Sequence, residues 1–223
     1  MDWRHEWKIE INELDKLCLR QRLEAVARRD EHSVDGRYFI RSLYFDTPED
    51  SALREKLDGV SKREKFRIRC YNGDPGFIRL EKKSKLAGLG NKQSAALSPD
   101  ETRRLIAGDT DWIGSDSHPL LQEFRAKQRM RRLEPKTIVD YTREAFTYAP
   151  GNVRVTLDYD IRTGLGCTDF LDPDCVTIPA ADAPIILEVK WDEFLPDIIR
   201  DVVALPGRRA AAFSKYAQCR IYG

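Results

Sequence analysis

Residues 3 to 11 alternate in character. Trp3, His5, Trp7, Ile9 and Ile11 fall on one side, and Arg4, Glu6, Lys8 and Glu10 on the other. A period of two predicts a strand. Leu14, Leu17, Cys18, Leu23 and Val26 then recur at helical spacing and predict a helix over about 13–29. Residues 38–46 predict a second strand, which Thr47-Pro48 stops before a short helix ending near Gly59. Residues 62–72 and 76–85 read as a hairpin around Asn72-Gly73-Asp74-Pro75-Gly76. Ser98 and Glu101 form a capping box that starts a helix running to about Ala107, and 118–133 predicts another. Strands follow at 136–148, 152–162 and 184–192, with helices at 195–205 and over the last ten residues. No repeat, low-complexity stretch or linker interrupts the pattern, so 1–223 is expected to be one domain.

The polar faces of these strands are unusually basic. Lys65, Arg67, Arg69 and Tyr71 share one face, opposite Phe66, Ile68 and Cys70. Arg79, Glu81, Lys83 and Lys85 oppose Ile78 and Leu80. Arg154, Thr156, Asp158, Asp160 and Arg162 oppose Val153, Val155, Leu157, Tyr159 and Ile161, and Glu188 and Lys190 oppose Leu187, Val189 and Trp191. Any one such strand reads as half of an ordinary sheet with a solvated face. Several together suit a different geometry, a barrel whose apolar outer face lies under helices and whose charged faces line a lumen. Arginines and lysines crowded in a lumen repel one another and need polyanions between them. Arginine suits phosphate oxygens through its planar fork of donors, and lysine acts as a point charge.

Whole-chain totals neither add to nor remove this reading. The 38 Lys and Arg nearly balance 37 Asp and Glu, which argues against a general nucleic-acid coat but not against segregated charge. No apolar run approaches the ~20 residues of a membrane span, and the N-terminus lacks the apolar core of a signal peptide. Five widely spaced cysteines with no CxxC pair read as reduced thiols, and three scattered histidines offer no metal-ligand spacing. A cytoplasmic protein is expected.

Ordered segments along nearly the whole chain resemble one family. They are Arg4-His-Glu6-Trp-Lys8, Ser42-Leu-Tyr-Phe-Asp-Thr47, Phe66-Arg-Ile-Arg69, Leu80-Glu-Lys-Lys83, Tyr141-Thr-Arg143-Glu-Ala-Phe146, Val153-Arg-Val-Thr-Leu-Asp158, Ile186-Leu-Glu-Val-Lys190 and Phe213-Ser-Lys-Tyr216. Together they resemble the VTC domain, the polyphosphate polymerase domain of the triphosphate tunnel metalloenzyme, or CYTH-like, superfamily. The resemblance implies an α+β fold built on a closed antiparallel eight-stranded β-barrel, a triphosphate tunnel with helices packed outside. It implies ATP and polyphosphate or inorganic phosphate as partners, with Mn²⁺ or Mg²⁺ as cofactor. Known eukaryotic members make polyphosphate within larger membrane-bound complexes. This chain has no room for their N-terminal regulatory domain and no membrane segment, so coupling to translocation is not expected.

Carried over residue by residue, the resemblance implies tunnel cations at Lys8, Arg67, Arg69, Lys83, Lys92, Arg143, Arg154 and Lys215, with Glu188 as metal ligand. Lys190, in phase with Glu188, joins the substrate-binding set. Arg67, Arg69, Lys83, Arg143, Arg154 and Lys215 are the candidates for the transfer itself. Lys92 rests on a looser stretch, and Lys82 replaces Lys83 if the register slips. The plainer alternative for each is a cross-strand ion pair or a solvated cation. The basic run Arg125, Lys127, Arg129, Arg131 and Arg132 reads as a solvated helix face.

The expected reaction moves the γ-phosphoryl of ATP onto a phosphate or polyphosphate end, with positioning and electrostatics supplying catalysis. One rival is a triphosphatase of the same superfamily, acting on inorganic triphosphate or an RNA 5′-triphosphate. Those relatives commonly show ExExK in the first strand, whereas this chain has Arg4-x-Glu6-x-Lys8. Fewer carboxylates weaken a water-activating metal site. A second rival is a non-catalytic polyphosphate or nucleotide-binding module, in which Glu188 has no evident use.

Overall fold

In the computed structural model, which describes residues 3–221, the alternating segments join one antiparallel sheet. The strands are β1 (His5–Ile11), β2 (Arg28–Arg29), β3 (Tyr38–Asp46), β4 (Arg63–Tyr71), β5 (Ile78–Leu86), β6 (Leu89–Leu97), β7 (Glu134–Tyr148), β8 (Val153–Thr163), β9 (Ile178–Pro179) and β10 (Ile185–Trp191). The helices are α1 (Glu13–Val26), α2 (Ser51–Leu57), α3 (Pro99–Ile106), α4 (Pro119–Arg131), α5 (Asp197–Val203) and α6 (Lys215–Cys219). Eight strands follow the path β1-β10-β8-β7-β3-β4-β5-β6, while β2 pairs with β7 and β9 with β8 at the side. The fold is α+β, a barrel-like sheet with helices.

The expected closed barrel is corrected to an open one. The end strands β1 and β6 meet at a single antiparallel bridge, Arg4–Gly90, with N–H···O distances of 3.0 and 3.1 Å. Another segment occupies the free edge of β1. Ala210 bridges to Ile9, and the Ala211 amide donates to the Lys8 carbonyl at 2.8 Å. An edge covered in this way cannot template aggregation, but neither can it pair with β6.

Apolar packing lies mostly outside the curve. Leu105 of α3 and Leu120, Leu121 and Phe124 of α4 pack on Phe66, Ile68, Ile78 and Leu80. Leu19 and Leu23 of α1 and Ile199 and Val203 of α5 pack on Val153, Val155, Leu187 and Val189. A third cluster sits on the inner face, where Tyr216 and Cys219 of α6 meet Ile40, Tyr44, Tyr141 and Ile186. The helix α6 therefore fills one end of the barrel from within. Its aim is set by Tyr216, which stacks on Tyr44 and donates from its hydroxyl to Asp46 at 2.9 Å. Asp46 in turn accepts the Ala52 and Leu53 amides of α2.

Local signals explain where elements start and stop. Asn12 and Asp15 cap each other's backbone amides, which ends β1 and begins α1. That helix stops at Val26, short of the expected 29, because Ala27 turns extended and Arg28–Arg29 pair with β7. The capping box at Ser98 is present as expected. The strand β6 was not foreseen, since Gly90, Asn91, Gln93 and Ser94 carry no alternating apolar signal. The C-terminal helix covers only Lys215–Cys219, and the part expected at 222–223 lies outside the described residues. Alternation along β8 also breaks. Asp160 takes a φ of +51° opposite a register shift in β7, so Ile161 turns inward and Arg162 turns out to Thr177. Asp160 and Arg162 thus leave the face on which the sequence places them.

Phe124 is fully buried, edge-on to both Phe45 and Phe66. Phe124→Ala is expected to cost about 3–5 kcal/mol of stability. The check is a fall in the urea midpoint with an unchanged denaturant slope.

Candidate active site

The pleat of β4 aims Arg67 and Arg69 at the same concave space. Arg67 donates from Nε and Nη2 to Glu81 Oε2 at 2.8 and 2.7 Å, and from Nη1 to the Tyr44 hydroxyl at 2.9 Å. Arg69 donates to Ser42 Oγ at 3.1 Å and to the Tyr141 hydroxyl at 2.8 Å. Lys92 reaches Glu81 Oε1 at 3.2 Å from β6. Glu81 is buried, and burial alone would raise its pKa. Arg67, Arg69 and Lys92 outweigh that and hold it well below the usual carboxylate range.

A second group spans β1, β5 and β10. In the ladder Lys8 lies opposite Glu188 and Glu6 opposite Lys190. Lys8 Nζ is 3.3 Å from Glu6 and 3.6 Å from Glu188. Lys190 pairs closely with Glu188 and lies 3.9 Å from Glu6. Lys83 crosses the gap between the sheet ends to Glu6 at 2.8 Å. Three ammonium groups therefore share two carboxylates. Burial and Glu188 push the Glu6 pKa up, but Lys8, Lys83 and Lys190 prevail and hold it at about 2. Burial also opposes the charged form of Glu188, yet Lys190, Lys8 and Lys83 keep it well below its ordinary value. Lys83 carries the surplus, with burial and then Lys8 bringing it down to about 7. Lys65 is lowered to about 8 by burial and the neighbouring Arg67 and Lys8.

Asp158 organises a third group. It accepts a bidentate pair from Arg143 at 2.6 and 2.7 Å and Lys215 Nζ at 2.5 Å. Lys215 enters from the first turn of α6, over the Tyr141 ring. Arg154 lies farther along β8, tied to Asp30 at 2.8 Å and to the Tyr38 hydroxyl at 2.6 Å.

These groups line one cavity of about 390 Å³, which brings together Lys8, Arg67, Arg69, Lys83, Lys92, Arg143, Arg154, Glu188, Lys190 and Lys215. Eleven of its lining residues are Lys or Arg and two are Glu. Lys82 faces the other way, to Glu64 and Glu123, so the register favours Lys83. The basic run of α4 stays outside, where Lys127 meets Glu64 and Arg129 meets Asp111. Sequence reasoning passed over Ser42, Tyr44 and Tyr141, the hydroxyls that aim the two arginines. Their positions in apolar strands resemble core, and only the even spacing of Tyr38, Ser42 and Tyr44 hints at a shared inward face.

The match to known proteins agrees with this architecture. The model of the VTC domain family matches residues 3–222. The chain belongs to that family. No curated protein sequence matches it significantly. In fold, this VTC domain is similar to a candidate adenylyl cyclase from Hippeastrum described as having a dominant triphosphatase activity. That likeness has a TM-score of 0.55 at 14% identity over 98% of this chain and 95% of the other. It is also similar to a candidate adenylate cyclase from Bacillus halodurans, with a TM-score of 0.51 at 14% identity over 84% and 81%. At such identities the likeness is one of fold.

Among the described residues of the VTC domain, no three His, Cys, Asp or Glu side chains converge to hold a metal ion. Glu6 and Glu188 still fit a hard divalent cation. Such an ion commonly takes one or two carboxylates and completes its shell with water and phosphate oxygens. No helix among the described residues is long and apolar enough to cross a membrane.

The lumen predicts an unusual pH response. Between pH 7 and 9 an unfolded chain keeps protons on Lys83 and Lys65 that the folded lumen releases. Tyr44 acts in the same direction. Burial raises its pKa, but Arg67, Lys65 and Arg69 outweigh this and bring it to about 7. The unfolded state binds more protons over this window, so stability rises with pH. The urea midpoint is expected to be higher at pH 8.5 than at pH 7, with a smaller difference in Lys83→Met. A flat or falling profile would contradict the assignment.

Proposed function

We propose that this VTC domain is a phosphotransferase that moves the γ-phosphoryl of ATP onto a phosphate or polyphosphate chain. The observation that carries the reading is the excess of cations in a confined cavity where, among the described residues, the two lining carboxylates Glu6 and Glu188 are paired to lysines. A triphosphate entering there exchanges internal partners for its own oxygens. Arg67 and Arg69 offer their remaining guanidinium donors to phosphate oxygens, held in place by Glu81, Ser42, Tyr44 and Tyr141. Lys8, Lys83 and Lys190 supply mobile positive charge, and Arg143 and Lys215 do so from the α6 end. Glu188, with Glu6 beside it, would hold Mn²⁺ or Mg²⁺. The bound ion would neutralise charge on the oxygens of the transferring group. No side chain is needed as a covalent carrier, so holding donor and acceptor in line supplies most of the catalysis.

Triphosphate hydrolysis is the second reading, and one observation favours it. Glu6 points into the lumen beside Glu188, so β1 contributes a carboxylate, while Arg4 on the same cavity wall pairs with Asp192 at 2.7 Å. The activity described for the Hippeastrum neighbour is of this kind.

The products distinguish the two. Purified protein with labelled ATP and Mn²⁺ is expected to release ADP and to build acid-labile phosphate chains, resolved by length. Glu188→Gln should abolish turnover while binding ATP within a few-fold of wild type. Arg69→Ala should weaken tripolyphosphate binding by about ten- to a hundredfold at low salt, measured by calorimetry, because a charge-assisted contact of this type contributes about 1.5–3 kcal/mol. Orthophosphate alone, even with a polyphosphate primer, would establish the hydrolase reading. Tight binding with no turnover of any triphosphate would leave a binding module.

A further inference from the structure

Two of the five cysteines, separated by seven residues in the sequence, are placed side by side. Cys167 Sγ and Cys175 Sγ lie 3.0 Å apart on the connection between β8 and β9, both half-buried. The gap is only about 1 Å longer than a disulfide bond. The placement is built by successive turns. The Cys167 amide donates to the Gly164 carbonyl at 2.9 Å, and the Cys175 amide to the Asp172 carbonyl at 3.3 Å. Between them Phe170 is buried against the outer core of the sheet. Arg41 fastens the far end. It donates to the Asp172 carbonyl at 2.6 Å and the Cys175 carbonyl at 3.5 Å, while a bidentate bond to Asp140 fixes its own position. A close approach set by this many buried contacts gives each thiol a high effective concentration toward the other.

We propose that Cys167 and Cys175 are a redox modification site, a dithiol that a small-molecule disulfide converts into an intramolecular clip on the outer wall of the VTC domain. Cys167 is the entry point. Burial, and then the neighbouring thiol, push Cys175 up to about 12, leaving it the poorer source of thiolate. Deprotonated Cys167 attacks the oxidant RSSR, forming a protein–SR bond and breaking RS–SR, and the first RS⁻ takes up the displaced proton. Cys175 then gives up its proton, attacks the Cys167 sulfur and expels the second RSH. In sum, two protein thiols become one disulfide and RSSR becomes two RSH. The clip tightens the wall of β3 and β7. Arg41 projects outward from β3, while Ser42 and Tyr44 on the same strand face inward and hold Arg69 and Arg67.

The test uses the full chain and oxidised glutathione as RSSR. No Lys or Arg lies between Arg162 and Lys190, so one tryptic peptide carries both cysteines. After oxidation, alkylation and digestion, that peptide should be lighter by two hydrogens and carry no alkyl group or glutathione. In Cys175→Ser, Cys167 should instead retain glutathione. Oxidised wild type should melt about 5 °C higher than reduced wild type, and Cys167→Ser should show no such shift. Two alkylated thiols in the wild-type peptide, glutathione on both, or a bond to Cys18, Cys70 or Cys219 would overturn the proposal.

Discussion

Everything in this molecule depends on keeping positive charge enclosed. Cations on the inner face of a sheet repel one another and lose hydration, and the penalty for each unpaired one is severe. The chain meets this in two ways. Buried carboxylates act as hubs, with Glu81 serving Arg67, Arg69 and Lys92, and Asp158 serving Arg143 and Lys215. Neutral hydroxyls from Ser42 and Tyr141 satisfy further donors without cancelling charge. Stability itself comes from the opposite face, where helices cover the apolar halves of the same strands. Strands β4, β5 and β10 thus separate an apolar stabilising surface from a charged surface that opposes folding, and the period-two alternation keeps the two apart.

That alternation is also why so much was legible in the sequence. Arg67 and Arg69, Glu81 and Lys83, and Glu188 and Lys190 are each two residues apart, so a strand assignment alone puts both members on one face. Legibility fails where the period fails. The left-handed backbone at Asp160 reverses inside and outside along β8, and nothing in Tyr159-Asp160-Ile161 announces it. It fails again where polarity is uniform, as in β6, whose Lys92 is the most exposed of the ten predicted residues with 57% of its side chain open. Closure was not legible either. Whether β1 pairs with β6 depends on the segment around Ala210–Ala211, far away in sequence, which takes the edge of β1 for itself.

The hydroxyls illustrate a different loss. Tyr44 is almost wholly buried and stacks on Tyr216, so by composition and burial it belongs to a core. Its oxygen nevertheless sets the direction of Arg67, and its partner ring carries the helix that delivers Lys215. A tyrosine can serve both environments because its ring is apolar and its tip is not. Strand periodicity assigns the ring to a face but says nothing about what the tip will meet.

Four carboxylates that pair with the lumen cations are not equivalent, and the difference lies in what holds them. Asp158 takes a bidentate guanidinium from Arg143 and an ammonium from Lys215, and is fully enclosed. Glu81 is gripped twice on one oxygen by Arg67 and once on the other by Lys92. Displacing a fork of that kind breaks two aligned bonds at once. Among the described residues the ion pairs of Glu6 and Glu188 are to lysines, at distances spread from close contact to 3.9 Å. Lysines are point charges on flexible stems and can turn toward an arriving phosphate without losing a planar match. When they do, two ionised carboxylates remain exposed on facing strands β1 and β10. A divalent cation arriving with the phosphate is the counter-charge that pair then requires. The sorting of arginine to Glu81 and Asp158, and of lysine to Glu6 and Glu188, is therefore what separates carboxylates that build the wall from those free to take part in the proposed chemistry.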